Sequence, residues 1–450
     1  MASAYPAPGS DDWQCVRFVT GQGCGPRPLT RAVDARSDSV ADVTHDVAWP
    51  EARRRASEAG SRRARERVAV NTPLAEARDL VLAAEVTSRV DLPSFDTSAM
   101  DGWAVSGTGP WRVTGEIRAG DALQRLETGE ALTISTGAMV PPGAAVLRSE
   151  RGVQEGGHVY ATDAAPDPEG LTPGTDVRSA GEEVRAGEVI LAAGQVLTPP
   201  ALGLAAAAGH DRLGVVPCPT VSVLILGDEL IDSGVPEHGQ VRDALAPQLP
   251  GWICSIHGDL IGITRVVDRL DLTVEAIAAA ASDVIITTGG TSSGPADHVR
   301  TAVEALGGDW LVDGVAVRPG HPMKLAALDG DRFLVALPGN PLAAVSGLLT
   351  LGEPILAAMA GRSGDRDHAT ARTIRRALAE PVETSPSAHR LIPAQIAEGR
   401  VHPAVRRGPA MLSGLAVADV VVVVPPGREP LGVGSDVNVL PLPWGTGLVV

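Results

Sequence analysis

Short apolar runs alternate with polar loops and helix-patterned stretches from Pro217 onward. VSVLIL (221–226), ITRVVD (263–268) and DVIITT (283–288) each precede a polar loop and then apolar residues at helical spacing; VAVR and FLVALP add two more runs. Strand, loop and helix repeated at this interval predict a doubly wound parallel α/β sheet. Ligands of such sheets sit outside the carboxyl ends of the strands. Upstream, residues 49–68 place Ala and Val among arginines at helical spacing, with Glu51, Glu58 and Glu66 interspersed, which predicts a helix with a solvated basic face. Asn71-Thr72-Pro73 reads as a start signal for a second helix over 74–86. Residues 91–190 break into short strands punctuated by Gly and Pro (WAVSG, WRVTGEI, ALTIST, AVLRSE, GHVYAT), a small β-rich unit. Residues 366–450 return to β character, and residues 1–45 show no periodicity, as expected of a mobile tail.

Composition narrows the function. A length of 450 residues suggests about three folded units, and 44% hydrophobic residues exclude wholesale disorder. The 38 Lys+Arg against 54 Asp+Glu leave a net charge of −16, and aromatics make up only 3%. That is a poor match to a phosphate backbone or to base stacking, so nucleic acid is not the expected partner. Four cysteines without CxxC spacing indicate neither a zinc site nor a disulfide framework. No uninterrupted apolar stretch approaches the roughly 20 residues that span a bilayer, so a cytoplasmic protein without membrane association is expected.

Three loops follow strands of the α/β unit and should open on one edge: Gly227-Asp228-Glu229, Gly289-Gly290-Thr291-Ser292-Ser293-Gly294, and Leu337-Pro338-Gly339-Asn340-Pro341. A Gly-rich strand-to-helix turn lets backbone N–H groups approach an anion, although a tight turn needs glycine whatever it binds. Asp228 and Glu229 at a strand end suit a hard cation or, equally, a helix N-terminus. Asp297 opens the next helix as a capping residue or a metal-linked one. Arg318-Pro319-Gly320-His321-Pro322-Met323-Lys324 gathers cationic groups that suit an oxyanion, and Lys324 is the only lysine in the chain. In the β-rich unit the stretch 92–105 ends in Asp101-Gly102-Trp103, and Thr136 and Glu183 add hydroxyl and acidic positions.

FDTSAMDGWAV, STGAMVPPGA, GEEVRAGEVIL, LGDEL, TTGGTSSGPADHV, VRPGHP and ALPGNPLAAVSG occur in the order that resembles the molybdopterin molybdenumtransferases, the MoeA and gephyrin E-domain family. The resemblance covers residues 50–450. It implies an elongated multi-domain chain: a helical/β linker domain from 46–90 and 170–214, a β-rich domain at 91–169, a molybdopterin-binding α/β domain at 215–362 and a small C-terminal β domain at 366–450. It further implies a homodimer in which the β-rich segment of one subunit faces the α/β domain of the other. The implied reaction inserts molybdate into adenylated molybdopterin with Mg2+, cleaving the pyrophosphate and releasing AMP. The molybdopterin-adenylating protein and molybdenum enzymes are the implied partners. A non-catalytic molybdopterin-binding paralogue, acting as a scaffold or chaperone, is the alternative.

Motif by motif, Asp101, Thr136, Glu183, Asp228, Glu229 and Asp297 match the family's functional acids and hydroxyls, with Asp228, Glu229 and Asp297 toward the metal; Asp268 matches a further acidic position. Gly289 to Gly294 match the phosphate loop. Arg318, His321 and Lys324 lie at the anion site, whose wall is Pro338, Gly339, Asn340 and Pro341. Arg390 and Ser413 match positions in the C-terminal domain. The chain departs from the family at Leu226, Ala244, Leu245, Pro295 and Pro409, which replace polar residues, and at Arg318 and His321, which replace lysines. An unperturbed histidine is mostly neutral at pH 7, so Lys324 is expected to supply part of the missing charge.

Overall fold

The computed structural model describes residues 46–162, 171–291, 298–362 and 373–445. The expected tail at 1–45 and the start of the C-terminal segment lie outside them.

The first predicted helix is present as α1 (Trp49–Ala64), but it is not simply a solvated basic rod. Ala52, Ala56, Ala59 and Gly60 form a buried, small-residue face. A side chain at Gly60 would come within 2.4 Å of the Ile355 carbonyl oxygen, so glycine is what permits the close approach of the facing helix. Arg53 lies in this buried face and pairs with Glu353 at 3.3 Å, while Arg54 and Arg55 stay exposed against Glu51. The second predicted helix does not form. Leu74–Glu76 makes one 3-10 turn, after which Val81–Leu82 and Val86–Thr87 are strands. Val81 and Leu82 pair with Val216 and Val215, and Asp79 has a φ of 63° that interrupts helical geometry. Long-range pairing overrides the local start signal here, as is usual for weak propensities.

The β-rich unit is a six-stranded sheet ordered 152–155, 158–161, 111–117, 130–134, 102–105, 145–148. In the α/β unit the strands are, in chain order, β1 (Thr220–Leu226), β2 (Asp259–Val266), β3 (Val284–Thr288), β4 (Asp309–Asp313), β5 (Val315–Arg318), β6 (Lys324–Leu328) and β7 (Arg332–Leu337). The sheet order is β2-β1-β3-β7-β6-β4. The first four are parallel; β6 runs antiparallel to both of its neighbours, β7 and β4, so the edge strand β4 points the same way as the first four. The expected doubly wound sheet therefore carries one reversed strand, next to its edge. Val221, Val223 and Ile225 of β1 enter one core, and Leu224 and Leu226 enter the other. Burial on both faces is why the strand reads as a continuous apolar run.

VAVR does not join this sheet. As β5 it pairs with Val47–Ala48 on one side and with β8 (His389–Ala397) on the other, becoming part of the C-terminal β domain. That seven-stranded sheet closes on itself through pairing of β8 with 420–424. Between the two units runs α2 (Pro341–Met359), a 19-residue helix apolar enough to meet the length test for a membrane span. The fold buries it instead. A π-turn at Leu348–Gly352 interrupts it, where the Arg53 guanidinium donates to the Leu349 carbonyl and the Trp49 indole donates to the Thr350 hydroxyl at 2.9 Å. Such turns free carbonyls that need outside donors.

Candidate active site

Because β1, β3 and β7 are parallel, their following loops emerge on one edge, and they line a cavity of about 740 Å³. Gly227 and Glu229 come from β1, Thr288 to Thr291 from β3, and Pro338 to Pro341 from β7; Arg242, Asp243, Asp268, Pro322, Ala410 and Leu412 are among the other lining residues. The loops are fastened to each other. Gly289 N–H donates to the Leu337 carbonyl at 2.9 Å. Gly289 and Gly290 have φ values of 85° and 65°, and a side chain at 289 would sit 2.9 Å from the Leu226 carbonyl oxygen. Glycine is required there by both backbone conformation and space. The N-terminal donors of α2 do not face the cavity: Leu342 and Ala343 N–H groups donate to the Pro409 carbonyl at 2.9 and 3.2 Å. Asn340 and Pro341 thus shape the wall, and of the glycine loop Gly289, Gly290 and Thr291 line the cavity.

The acids at the strand ends are oriented by backbone contacts. Asp228 accepts from the Asp268 N–H at 3.0 Å, and the Asp268 carboxylate lies 3.7 Å from His298 Nε2. Glu229 folds back over Gly227. Buried Asp243 accepts from the Leu245 and Ala246 N–H groups and pairs with Arg265 at 2.7 Å, so Ala244 and Leu245 are held by this Asp turn rather than by side chains of their own. Asp297, Ser292, Ser293, Gly294 and Pro295 lie outside the described residues. Among the described residues no three carboxylate, His or Cys groups come close enough to enclose a cation. Asp228 does not itself line the cavity, whereas Glu229 and Asp268 do; one or two carboxylates are what Mg2+ takes, completing its shell with water and substrate phosphate.

A second cavity, of about 880 Å³, lies across the 408–412 loop. Arg318, Arg390 and Arg407 line it together with Thr384, Ser385 and Ser387. Arg318 and Arg390 are register partners on β5 and β8, so the chain segment VAVR contributes its arginine through the C-terminal sheet and not through the α/β sheet. Burial, followed by the charge of Arg407, pushes the basicity of Arg390 down against the opposing charge of Glu383, with Arg318 adding a smaller push the same way. Two expected cations are elsewhere. His321 is exposed, and its Nε2 lies 2.7 Å from the Asp46 carboxylate. Lys324 is buried, donates to Asp313 at 2.5 Å and sits over the Trp310 ring. Both line neither cavity. The reason for Lys324 is the strand period: it begins β6 with its side chain turned toward β4, in register with Asp313. Ser413 also lines neither cavity.

Asp101 and Thr136 meet in the β-rich domain. The Thr136 N–H and hydroxyl both donate to Asp101 Oδ1, at 2.7 and 3.1 Å. Glu183 lies on a strap joined to the 91–96 segment: its N–H donates to the Leu92 carbonyl, and the Ala180 N–H donates to Asp96. None of these three residues lines either cavity of its own chain. Sequence reasoning missed Arg407. The available signal was the Arg406-Arg407 pair ahead of Gly408-Pro409 in an otherwise acidic chain.

Comparison with known proteins shows the family of the chain. The model of the MoeA N-terminal region (domain I and II) matches residues 47–209, that of a probable molybdopterin binding domain 222–358, and that of the MoeA C-terminal region (domain IV) 375–442. A molybdopterin molybdenumtransferase 2 of Mycobacterium tuberculosis is 35% identical over 327 residues, covering 67% of this chain and 78% of that protein. A molybdopterin molybdenumtransferase of Synechococcus elongatus is 32% identical over 395 residues, covering 82% and 93%. The crystal structure of a molybdopterin biosynthesis MoeA protein from Pyrococcus horikoshii superimposes with a TM-score of 0.70 over 88% of this chain and 99% of that one, at 22% identity, and shares the fold. From the glycine loop of the α/β unit to the closed C-terminal sheet, this chain belongs to the MoeA family of molybdopterin molybdenumtransferases.

Proposed function

We propose that this protein acts in molybdenum cofactor biosynthesis as a molybdotransferase, inserting molybdate into adenylated molybdopterin with cleavage of the pyrophosphate and release of AMP. The observation that carries the reading is the adjacency of two unlike cavities. One is a glycine-lined cleft at the carboxyl ends of parallel strands, and the other is lined by three arginines with no carboxylate in its wall. A pterin pyrophosphate beside an oxyanion asks for that pair. The N–H groups of Gly290 and Thr291, held in place by the Gly289 N–H bond to Leu337, would bind phosphate oxygens, and Arg318 and Arg390 would hold the molybdate. Pro338 to Pro341 keep the pterin end in place and exclude water.

Asp228 and Glu229, with Asp297, would hold Mg2+, whose chemistry when bound is to neutralise charge on the pyrophosphate. Asp101 and Thr136, which form one hydrogen-bonded unit, and Glu183 line neither of these two cavities in their own chain; a second subunit of a homodimer would present them to the cleft. We place the reaction in the cytoplasm, with the molybdopterin-adenylating protein upstream and molybdenum enzymes downstream. The test is direct: purified protein with adenylated molybdopterin, Mg2+ and molybdate should release AMP in proportion to molybdate added. Retention of the adenylated pterin with no AMP release would refute the transferase and favour a scaffold.

A further inference from the structure

The arginine-lined cavity holds one cation that neither the motifs nor the family matches single out. Arg318 and Arg390 stand side by side on paired parallel strands, a spacing of about 4.8 Å between backbones. Arg407 joins them from a separate element, the loop after the strand Arg400–Pro403. Among the described residues no carboxylate lies within ion-pair distance of any of the three. Arg390 donates to a backbone carbonyl, that of Glu383, at 2.7 Å. Like charges placed opposite one another are unfavourable unless an anion sits between them. Burial first and then the charge of Arg407 depress the basicity of Arg390; the charge of Glu383 opposes them, and that of Arg318 contributes least.

The loop that carries Arg407 is fixed at several points. The Ala404 N–H donates to the Pro393 carbonyl at 2.8 Å, the Pro409 carbonyl takes both N-terminal donors of α2, and the Met411 N–H donates back to Gly408 at 2.9 Å. Gly414 packs so closely that a side chain there would meet the Arg406 carbonyl at 2.4 Å. Arg407 is half-buried by this anchoring, whereas Arg406 is exposed and faces away from the cavity. A guanidinium held in place before its ligand arrives loses less freedom on binding. Meanwhile His321, where sequence matching expected a cation for the oxyanion, is engaged with Asp46 outside the cavity.

We propose that Arg407 is a third cationic ligand of the oxyanion cavity, gripping a tetrahedral dianion together with Arg318 and Arg390 and supplying the charge that His321 does not. This rests on the reading that the cavity takes molybdate. The test is equilibrium dialysis of the full chain against sodium molybdate, for wild type and for Arg407→Ala, Arg407→Lys, Arg390→Ala and Arg406→Ala. Loss of a charge-assisted hydrogen bond predicts that Arg407→Ala raises Kd roughly ten- to a hundredfold. Arg407→Lys should recover part of that loss. Arg406→Ala removes the same net charge one residue away and should stay within about twofold, because an exposed charge outside the cavity is screened. In steady-state AMP release, Arg407→Ala should raise the KM for molybdate far more than it lowers kcat. Thermal melting shows which variants are folded, and Arg407→Lys carries the comparison if Arg407→Ala is not. If Arg407→Ala binds like Arg406→Ala while Arg390→Ala loses affinity, Arg407 is no ligand and the cavity reading survives. If wild type itself retains no molybdate, both fall together.

Discussion

Replacing Gly289 with alanine strikes the joint where three strand-end loops meet. Its φ of 85° is left-handed, and an L side chain there costs about 1–2 kcal/mol. The added Cβ would lie 2.9 Å from the carbonyl oxygen of Leu226 and 3.7 Å from its Cβ. That carbonyl belongs to the buried strand β1 and cannot rotate away, so the glycine loop must move. The loop is also tied to β7 through the 2.9 Å bond from the Gly289 N–H to Leu337, so the displacement reaches the Pro338–Pro341 wall as well. We expect a net loss of about 2 kcal/mol, or a fall of roughly 4–8 °C in Tm for a domain of this size. A misplacement of about 1 Å in a positioning loop costs on the order of a hundredfold in rate, which AMP release with adenylated molybdopterin would read. Gly307→Ala is the control: its φ of 71° carries the same conformational cost, but nothing lies within 4 Å of the new Cβ. It should lower Tm without touching turnover. If Gly289→Ala melts and turns over like Gly307→Ala, the contact with Leu226 has slack and the account of a rigid cradle is wrong.

The proposed sharing of the site between subunits makes a second prediction. Asp101→Ala and Asp228→Ala proteins, each inactive, should regain about a quarter of wild-type activity when unfolded and re-associated together, as random pairing in a symmetric dimer requires; persistent inactivity of the mixture would mean that each chain builds its own site. A third concerns Asp313. Burial pushes its carboxyl up, but the hydrogen bonds from Arg300 and Lys324 outweigh that and hold it below the ordinary carboxylate value. Its folded pKa is therefore the lower one, so its stabilisation is complete above about pH 4 and fades as pH falls through the folded value. Asp313→Asn should be less stable than wild type in urea melts at pH 7, and the gap should narrow by pH 3; a gap independent of pH would show that the charge contributes nothing.

Much of the fold is carried by local pattern. VSVLIL, DVIITT and FLVALP are strands because each apolar run is long enough to be buried on both faces, and their glycine- and proline-bearing loops had to emerge together once the strands were parallel. The six-stranded β-rich sheet follows from runs spaced by Gly and Pro. The pairing of Asp101 with Thr136 is different: both were flagged by motif, but the 35-residue separation between them closes only because strands 102–105 and 130–134 are neighbours.

What the chain could not reveal one segment at a time was partner choice. VAVR has the same local pattern as its neighbours, yet β5 leaves the α/β sheet because β8 offers it a free edge, and this alone carries Arg318 into line with Arg390. The turn from Arg318 to Lys324 looked like one cationic cluster, but three of its charges separate: Arg318 enters the cavity, His321 meets Asp46, and Lys324 turns to Asp313. Local sequence sets which backbone conformations are cheap and which side chains prefer burial. Where each charge ends up is decided by electrostatic and packing partners that lie up to hundreds of residues away, and only the assembled tertiary structure brings those partners within reach.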